Sequence, residues 1–166
     1  MQRILYFHGL NGTLSEEKRR ILEVFFDVYA PQLNYEFDNI DQLIEELLPE
    51  NTFDAIIGNS MGGYVAYHLS RQLNVPSLLF NPALKERSTE IQFTPYEHYG
   101  NHLSLVYAVL GKADEIVSPN GTWEELFSDN QNDRVIFSCH RKLEHRIDEN
   151  TFKAEVERFV QFLAEK

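Results

Sequence analysis

A serine between two glycines is the group in this sequence best suited to nucleophilic chemistry. Ser60 lies in residues 58–62, GNSMG, with a glycine two positions before it and another two after it. Residues 54–57 have the pattern of a short buried strand, and apolar residues recur at helical spacing after Ser60. A serine between a strand and a helix adopts a strained turn that exposes its hydroxyl. The pattern predicts a catalytic nucleophile; a plain strand-to-helix turn with a capping serine is the alternative.

A serine hydroxyl becomes a good nucleophile only when a base takes its proton, and an acid must orient that base. In proteins that place the serine on such a turn, the three groups follow in the order Ser, Asp, His. Asp114 lies in the turn after a predicted strand at residues 103–110. We therefore predict that Asp114 is the acid, with Glu115 as the substitute.

Two histidines follow the last predicted strand, and the base is expected among them. We predict His145 rather than His140, because the imidazole must reach back over the sheet edge to Ser60, which requires loop length. The oxyanion of the reaction needs backbone N–H donors. Met61, the residue after the nucleophile, and Leu10, in the loop after the first strand, are the predicted donors.

Three other histidines are not assigned to catalysis. His8 precedes the triad order, and we expect it to hold the loop after the first strand by hydrogen bonding. His98 and His102 are four residues apart, as two metal ligands on a helix would be. Their segment lacks a helical pattern and a third ligand, so no metal is expected. The chain has no motif for binding phosphates or dinucleotides, and no cofactor is expected.

Strands and helices are expected to alternate along the chain, which predicts a parallel sheet with helices on both faces. We expect a single α/β domain over residues 1–166, with about six mostly parallel strands and the ligand site beyond their carboxyl ends. Residues 13–16, TLSE, have the spacing of a helix capping box, and residues 85–101 form an irregular excursion that lines part of the pocket. The predicted strands are residues 4–7, 27–30, 54–57, 75–80, 103–110 and 135–137, and the predicted helices include residues 40–48, 61–73, 122–127 and 151–164.

The charge balance and the cysteine content restrict the possible partners and compartment. Fifteen basic and 26 acidic residues give a formal net charge of −11. This charge repels nucleic-acid phosphates and anionic lipids, so neither nucleic acid nor membrane is an expected partner. Cys139 is the single cysteine, and the N-terminus lacks a signal-peptide pattern, which together predict a cytoplasmic protein. No apolar run is long enough to span a bilayer.

Four motifs follow one another in the chain: residues 4–11, ILYFHGLN; 31–33, PQL; 58–64, GNSMGGY; and 80–83, FNPA. In this order they resemble the α/β-hydrolase superfamily and, within it, the small YqiA-like esterases. The resemblance covers almost the whole chain. It implies a compact serine esterase with a Ser-Asp-His triad, whose acid and base match Asp114 in KADEIV and His145 in EHRI.

This chain departs from the family pattern in two places. Family members carry Gly-Gly-x-His-x-Phe around the base, where this chain has residues 142–147, KLEHRI, so a differently shaped histidine loop is expected. The segment at residues 85–101 is also short. It leaves little chain for a lid over the site, which disfavours long-chain lipids as substrates.

We predict a serine hydrolase of small carboxylic esters or thioesters that works through an acyl-enzyme on Ser60. The residues predicted to bind substrate are Asn11, Asn81, Pro82 and Tyr96. Two alternatives stay open: a protein-interaction module on a hydrolase scaffold with little turnover, and a C–C hydrolase or acyltransferase that uses the same nucleophile.

Overall fold

Helices and parallel strands alternate along most of the chain in the computed structural model, which describes residues 1–97, 104–129 and 134–165. Six strands and five α-helices lie in these residues, and a short 3₁₀ turn at Leu48–Glu50 follows the second helix. In chain order the elements are β1 (Gln2–Phe7), α1 (Glu16–Glu23), β2 (Phe26–Tyr29), α2 (Ile40–Leu47), β3 (Ala55–Asn59), α3 (Met61–Leu73), β4 (Ser77–Phe80), β5 (Leu105–Gly111), α4 (Pro119–Asp129), β6 (Arg134–His140) and α5 (Glu149–Ala164).

The six strands form one parallel sheet in the order β2-β1-β3-β4-β5-β6. The chain leaves β1 towards one edge of the sheet and leaves β3 towards the other edge. The point between β1 and β3 is therefore the topological switch point, where ligands bind in open α/β sheets. The predicted parallel sheet of about six strands is confirmed.

The sheet is buried on both faces, and successive residues of each central strand enter opposite cores. Leu5 and Phe7 of β1 pack with α2, α3 and Leu126 of α4 on one face. Ile4 and Tyr6 pack with α1 and α5 on the other face. This two-sided burial is why the strands read as continuous apolar runs in the sequence.

The ends of several elements differ from the sequence prediction. Helix α1 begins at Glu16 and is capped by Ser15, whose hydroxyl accepts from the backbone N–H of Lys18, so the cap lies two residues later than a box starting at Thr13. β5 and β6 pair over seven residues, from Leu105 with Arg134 to Gly111 with His140. Strand β6 is therefore longer than the apolar run at residues 135–137 from which it was predicted.

The irregular segment after β4 is described as far as residue 97. It contacts the start of α2, where Gln92 pairs with Asn39 in an isolated parallel bridge. The Thr94 hydroxyl also donates to Asp41 Oδ2 at 2.8 Å. His98, His102 and the end of the segment lie outside the described residues.

The described residues contain neither a membrane-spanning helix nor a cluster of metal ligands. None of their helices combines the length and the apolar character needed to cross a bilayer. No three of their His, Cys, Asp or Glu side chains are grouped as metal ligands would be.

Candidate active site

Ser60 lies on a strained turn between β3 and α3. Its backbone has φ 54° and ψ −116°, a conformation that residues with a side chain rarely adopt. The neighbouring strand end holds it there: the Ser60 N–H donates to the carbonyl oxygen of Phe80 at 2.9 Å, and the Ser60 carbonyl accepts from the N–H of Ala83 at 3.0 Å. The hydroxyl makes no capping bond to the helix. The strained turn is confirmed, and a simple capping serine is not what the structure contains.

The two glycines beside Ser60 allow α3 to approach the sheet closely. A Cβ on Gly58 would overlap the carbonyl oxygen of Gly62. A Cβ on Gly62 would overlap the carbonyl oxygens of Phe7 and His8 at the end of β1. A side chain at either position would push α3 away from the sheet, so both positions require glycine.

Asp114 and His145 form a hydrogen-bonded pair beyond the carboxyl end of β5. Asp114 Oδ2 lies 2.8 Å from His145 Nδ1, and the carboxylate is fully buried. The other carboxylate oxygen accepts from the backbone N–H groups of Ile116, at 2.8 Å, and Val117, at 2.9 Å. The carboxylate is thereby fixed in orientation. An Nδ1–H that donates to Asp114 leaves Nε2 of His145 as a proton acceptor.

Ser60 and His145 line the same cleft, which has a volume of about 490 Å³. Leu10 and Met61 also line it, so the predicted nucleophile, base and oxyanion donors face one space. Within the described residues no hydrogen bond joins the Ser60 hydroxyl to His145. A volume of this size falls within the usual range for small-molecule sites.

The alternative base and acid are placed differently. His140 Nε2 lies 2.5 Å from Glu155 Oε1 and 3.2 Å from the Ser138 hydroxyl. Glu155 is 2% exposed and belongs to the core behind β6. Glu115 is exposed on the loop beside Asp114. The geometry thus pairs His140 with a structural carboxylate and leaves Asp114 with His145.

The two predicted oxyanion donors have different backbone settings. Met61 is the first residue of α3, where N–H groups lack a partner within the helix and the helix dipole favours negative charge. Leu10 lies in a tight turn that is closed by a 3.0 Å hydrogen bond from the Gly12 N–H to the Gly9 carbonyl. Asn11 takes a positive φ of 53° in this turn, a conformation that asparagine tolerates well.

His8 holds the loop after β1, as expected. Its Nε2 accepts from the backbone N–H of Leu33 at 2.8 Å, so its Nδ1–H donates to the carbonyl of Gly9 at 2.7 Å. The Tyr35 hydroxyl donates to the His8 carbonyl at 2.7 Å. These bonds tie the Leu10 turn to the segment that follows β2, and the prediction of a structural role for His8 is confirmed.

Asn81 is placed differently from its prediction as a substrate-binding residue. It is 2% exposed at the end of β4. Its Nδ2 donates to the carbonyl oxygens of Glu144, at 3.0 Å, and His145, at 3.2 Å, and its Oδ1 accepts from the N–H of Gly111 at 2.8 Å. The amide is therefore occupied by backbone partners, and Asn81 positions the histidine loop instead of contacting a substrate.

The other three predicted substrate ligands also lie off the described cleft wall. Pro82 is buried, and its carbonyl accepts from the Thr122 hydroxyl at 3.0 Å. Tyr96 lies in the irregular segment, where its carbonyl is 3.3 Å from His68 Nδ1. Asn11 is exposed, although its neighbours on both sides line the cleft. Substrate contacts by these three residues stay predictions.

The cleft contains cationic side chains that the sequence analysis missed. Lys18, Arg87 and Arg146 all line it. Arg146 directly follows the predicted base, which was an available signal. Nothing in the sequence around Lys18 and Arg87 indicates a role in the site. Only the fold brings these two residues into the cleft that Ser60 lines.

The chain is similar to a known protein family in sequence and to known hydrolases in structure. The sequence profile of UPF0227, an uncharacterised protein family, matches residues 3–105. A carboxylesterase from Bacillus cereus is similar in structure, with 17% identity and a TM-score of 0.67 over 96% of this chain and 88% of that protein. A predicted CIB-like hydrolase from Thermoplasma acidophilum has 20% identity and a TM-score of 0.65, covering 99% and 87% of the two chains.

A third solved structure, Est1E from Butyrivibrio proteoclasticus, has 13% identity and a TM-score of 0.68, covering 99% of this chain and 89% of that protein. At these identities the similarity concerns the fold. The expected α/β-hydrolase fold is confirmed.

Proposed function

We propose that this chain, which belongs to the uncharacterised protein family UPF0227 and has the α/β-hydrolase fold, is a serine hydrolase that cleaves small carboxylic esters or thioesters. One observation carries the proposal. Ser60, on its strained turn, lines the same cleft as His145, whose Nδ1 lies 2.8 Å from the buried carboxylate of Asp114.

In the first step, the Ser60 oxygen attacks the carbonyl carbon of the ester and its proton passes to His145 Nε2. Asp114 stabilises the imidazolium that forms. The N–H groups of Met61 and Leu10 hold the oxyanion of the tetrahedral intermediate, and each such donor contributes about 3 kcal/mol in hydrolases where one has been removed. The contact between Ser60 and His145 closes in the substrate complex, as is common for catalytic hydrogen bonds that are long in free enzymes.

In the second step, the intermediate expels the alcohol or thiol, which takes the proton from His145 and leaves an acyl group on Ser60. A water molecule then attacks the acyl carbon while His145 accepts one of its protons. Collapse of this second intermediate releases the carboxylic acid and returns the proton to Ser60. Water is the only co-reactant, so the reaction requires no cofactor.

The cleft supports small substrates. Its walls include the apolar side chains of Leu10, Met61 and Val117, which suit a short acyl chain. The lone cysteine and the net charge of −11 support a cytoplasmic enzyme without nucleic-acid or membrane partners.

The proposal is tested by hydrolysis of 4-nitrophenyl acetate, butyrate and octanoate and of a butyryl thioester by the purified protein and by Ser60→Ala. We expect turnover that depends on Ser60 and a kcat/KM that falls for the longest chain. Absence of turnover with every ester would contradict the proposal and favour an interaction module. Acylation of Ser60 without release of acid would instead favour an acyltransferase.

A further inference from the structure

The Ser60 cleft is lined by cations although the protein as a whole is acidic. Lys18, Arg87 and Arg146 line it, and Glu86 is the single carboxylate residue among its described lining residues. The whole chain carries 26 acidic and 15 basic residues. A positive cleft in a protein of opposite net charge focuses the electrostatic field on anions.

Among the described residues, these three cations have no ion-pair partners. Some other basic residues of the protein are paired, such as Arg19, one residue after Lys18, which lies 3.4 Å from a Glu23 oxygen. In the part of the chain that the structure describes, no carboxylate oxygen lies within 4 Å of the charged nitrogens of Lys18, Arg87 or Arg146. The charges are therefore available to a ligand.

Lys18 is partly removed from water beside a like charge. Its ammonium nitrogen lies 5.3 Å from the centroid of the Phe152 ring. Burial, followed by the charge of Arg146, lowers the pKa of Lys18, and the carboxylates of Asp148 and Glu149 partly oppose this shift. An anion placed between Lys18 and Arg146 would offset both their repulsion and their desolvation.

The carboxylate of Asp148 does not serve as that anion, because it caps α5. Its two oxygens accept from the backbone N–H of Thr151 at 2.9 Å and from the Thr151 hydroxyl at 2.7 Å. Glu149 is exposed in the first turn of the same helix. Among the described residues, neither carboxylate forms an ion pair with Lys18 or Arg146.

Arg87 is held in a fixed orientation at the cleft wall. Its guanidinium donates to the carbonyl oxygens of Ala83, at 3.1 Å, and Leu84, at 2.7 Å. It also lies 3.9 Å from the centroid of the Tyr64 ring. These contacts use part of its donor set, so we assign the anion to Lys18 and Arg146 and a supporting field to Arg87.

We propose that the substrate of this site is an ester or thioester that carries an anionic group, a carboxylate or a phosphate, and that Lys18 and Arg146 bind that group. This inference rests on the proposed function, because it names the substrate class of the same cleft. His145 gives its proton to the leaving group, and Arg146 is the next residue. On this basis we assign the anionic group to the leaving group instead of the acyl chain.

The test compares matched esters that differ in one charge. The leaving-group pair is 4-nitrophenyl butyrate and 3-carboxy-4-nitrophenyl butyrate; the acyl pair is 4-nitrophenyl hexanoate and mono-4-nitrophenyl adipate. We expect kcat/KM to be roughly 10-fold or more higher for the carboxylated leaving group, mainly through KM. The acyl pair should show a smaller ratio. Raising the ionic strength from about 20 mM to about 500 mM should reduce the preference, because salt screens the interaction.

Two double variants with the same change in net charge locate the effect. Lys18→Gln with Arg146→Gln should bring the ratio within the leaving-group pair close to one. The control variant, Arg20→Gln with Lys142→Gln, removes two exposed cations that do not line the cleft. Arg20 lies on the same helix as Lys18, and Lys142 lies in the same loop as Arg146. This control should keep the preference.

The outcomes separate the subsite from the hydrolase itself. Turnover that depends on Ser60 but treats neutral and anionic esters alike would overturn the anion subsite and leave the hydrolase standing. A preference confined to the acyl pair would overturn the leaving-group assignment. Failure to hydrolyse any ester, neutral or anionic, would overturn the proposed function and the subsite with it.

Discussion

The Asn81 side-chain nitrogen donates to the backbone carbonyl oxygen of His145 at 3.2 Å, although Asn81 lies outside the cleft. The same amide accepts from the N–H of Gly111, the last residue of β5. One buried side chain therefore joins the strand that leads to Asp114 to the loop that holds His145. The geometry of the proposed acid–base pair depends on this connection.

Asn81→Ala should lower both stability and activity. The substitution leaves the buried N–H of Gly111 without its partner, and each such loss costs about 1–3 kcal/mol. The histidine loop should also lose its fixed position, so kcat should fall more than KM rises. Urea unfolding and ester kinetics measure the two effects. Asn150→Ala, at an exposed position of α5, is the matched control and should change neither; an Asn81→Ala protein with unchanged kcat would refute the positioning role.

Asp114→Asn should reduce kcat by roughly 10³–10⁴-fold, because the imidazole loses the carboxylate that selects its tautomer and stabilises its charged form. Glu115→Gln removes a neighbouring exposed carboxylate and should leave kcat within about twofold. Steady-state hydrolysis of a short ester distinguishes the two variants. Equal losses in both would argue against Asp114 as the orienting acid.

His145→Ala should lose most of kcat, by a factor on the order of 10⁶ where the triad acts as a unit. His140→Ala should leave kcat nearly unchanged, because His140 contacts Glu155 in the core behind β6. Circular dichroism confirms that both variants are folded before their rates are compared. If His140→Ala were the inactive variant, the base assignment would be wrong while the nucleophile could stand.

Gly62→Ala and Gly121→Ala should shift stability in opposite directions. The new Cβ at position 62 would overlap backbone oxygens of β1, and overpacking against backbone costs typically 1–3 kcal/mol or more. At position 121 the nearest atom is the flexible Lys85 side chain at 3.1 Å, and alanine favours the helix by up to about 1 kcal/mol. Thermal unfolding of the two variants provides the comparison. Equal stability would mean that α3 does not approach β1 as closely as the structure has it.

The stabilising effect of Glu155 should disappear in acid. Burial opposes the charged form of Glu155, but hydrogen bonds from Tyr107, Ser138 and His140 outweigh it and lower the pKa of this carboxyl. A carboxyl whose pKa is lower in the folded protein stabilises it fully above the unfolded value of about 4.3 and loses this contribution as the pH falls through the folded pKa. The difference in free energy of unfolding between the wild type and Glu155→Gln should therefore shrink below about pH 4.3. A difference that grew towards acid would contradict this interpretation.

The sequence allowed the architecture to be predicted, and it singles out Ser60, Asp114 and His145 as candidates for catalysis, because both inferences depend on local patterns. The buried strands appear as short apolar runs, and the turn at Ser60 appears as glycines at fixed spacing where the apolar period changes. Ser60, Asp114 and His145 each follow the end of a strand, and the parallel sheet brings these strand ends together on one edge.

The roles of Asn81 and of the cations could not be read in the same way. Asn81 lies at a strand end, where both a substrate and a neighbouring loop are within reach of its amide, and only three-dimensional contacts decide between them. Lys18 and Arg146 are separated by 127 intervening residues, so no spacing rule connects them. Glu155 is a polar residue within the otherwise apolar face of α5. Helical periodicity does not predict its hydrogen-bond partners, which lie on β5 and β6.

Labelling with a fluorophosphonate probe, followed by peptide mapping, tests the central claim most directly. Such probes react with a serine only when a neighbouring base activates it. We expect a single modification on the peptide that contains Ser60, abolished in Ser60→Ala and strongly slowed in His145→Ala. An unmodified Ser60 in the folded wild-type protein, or a label on another residue, would contradict it.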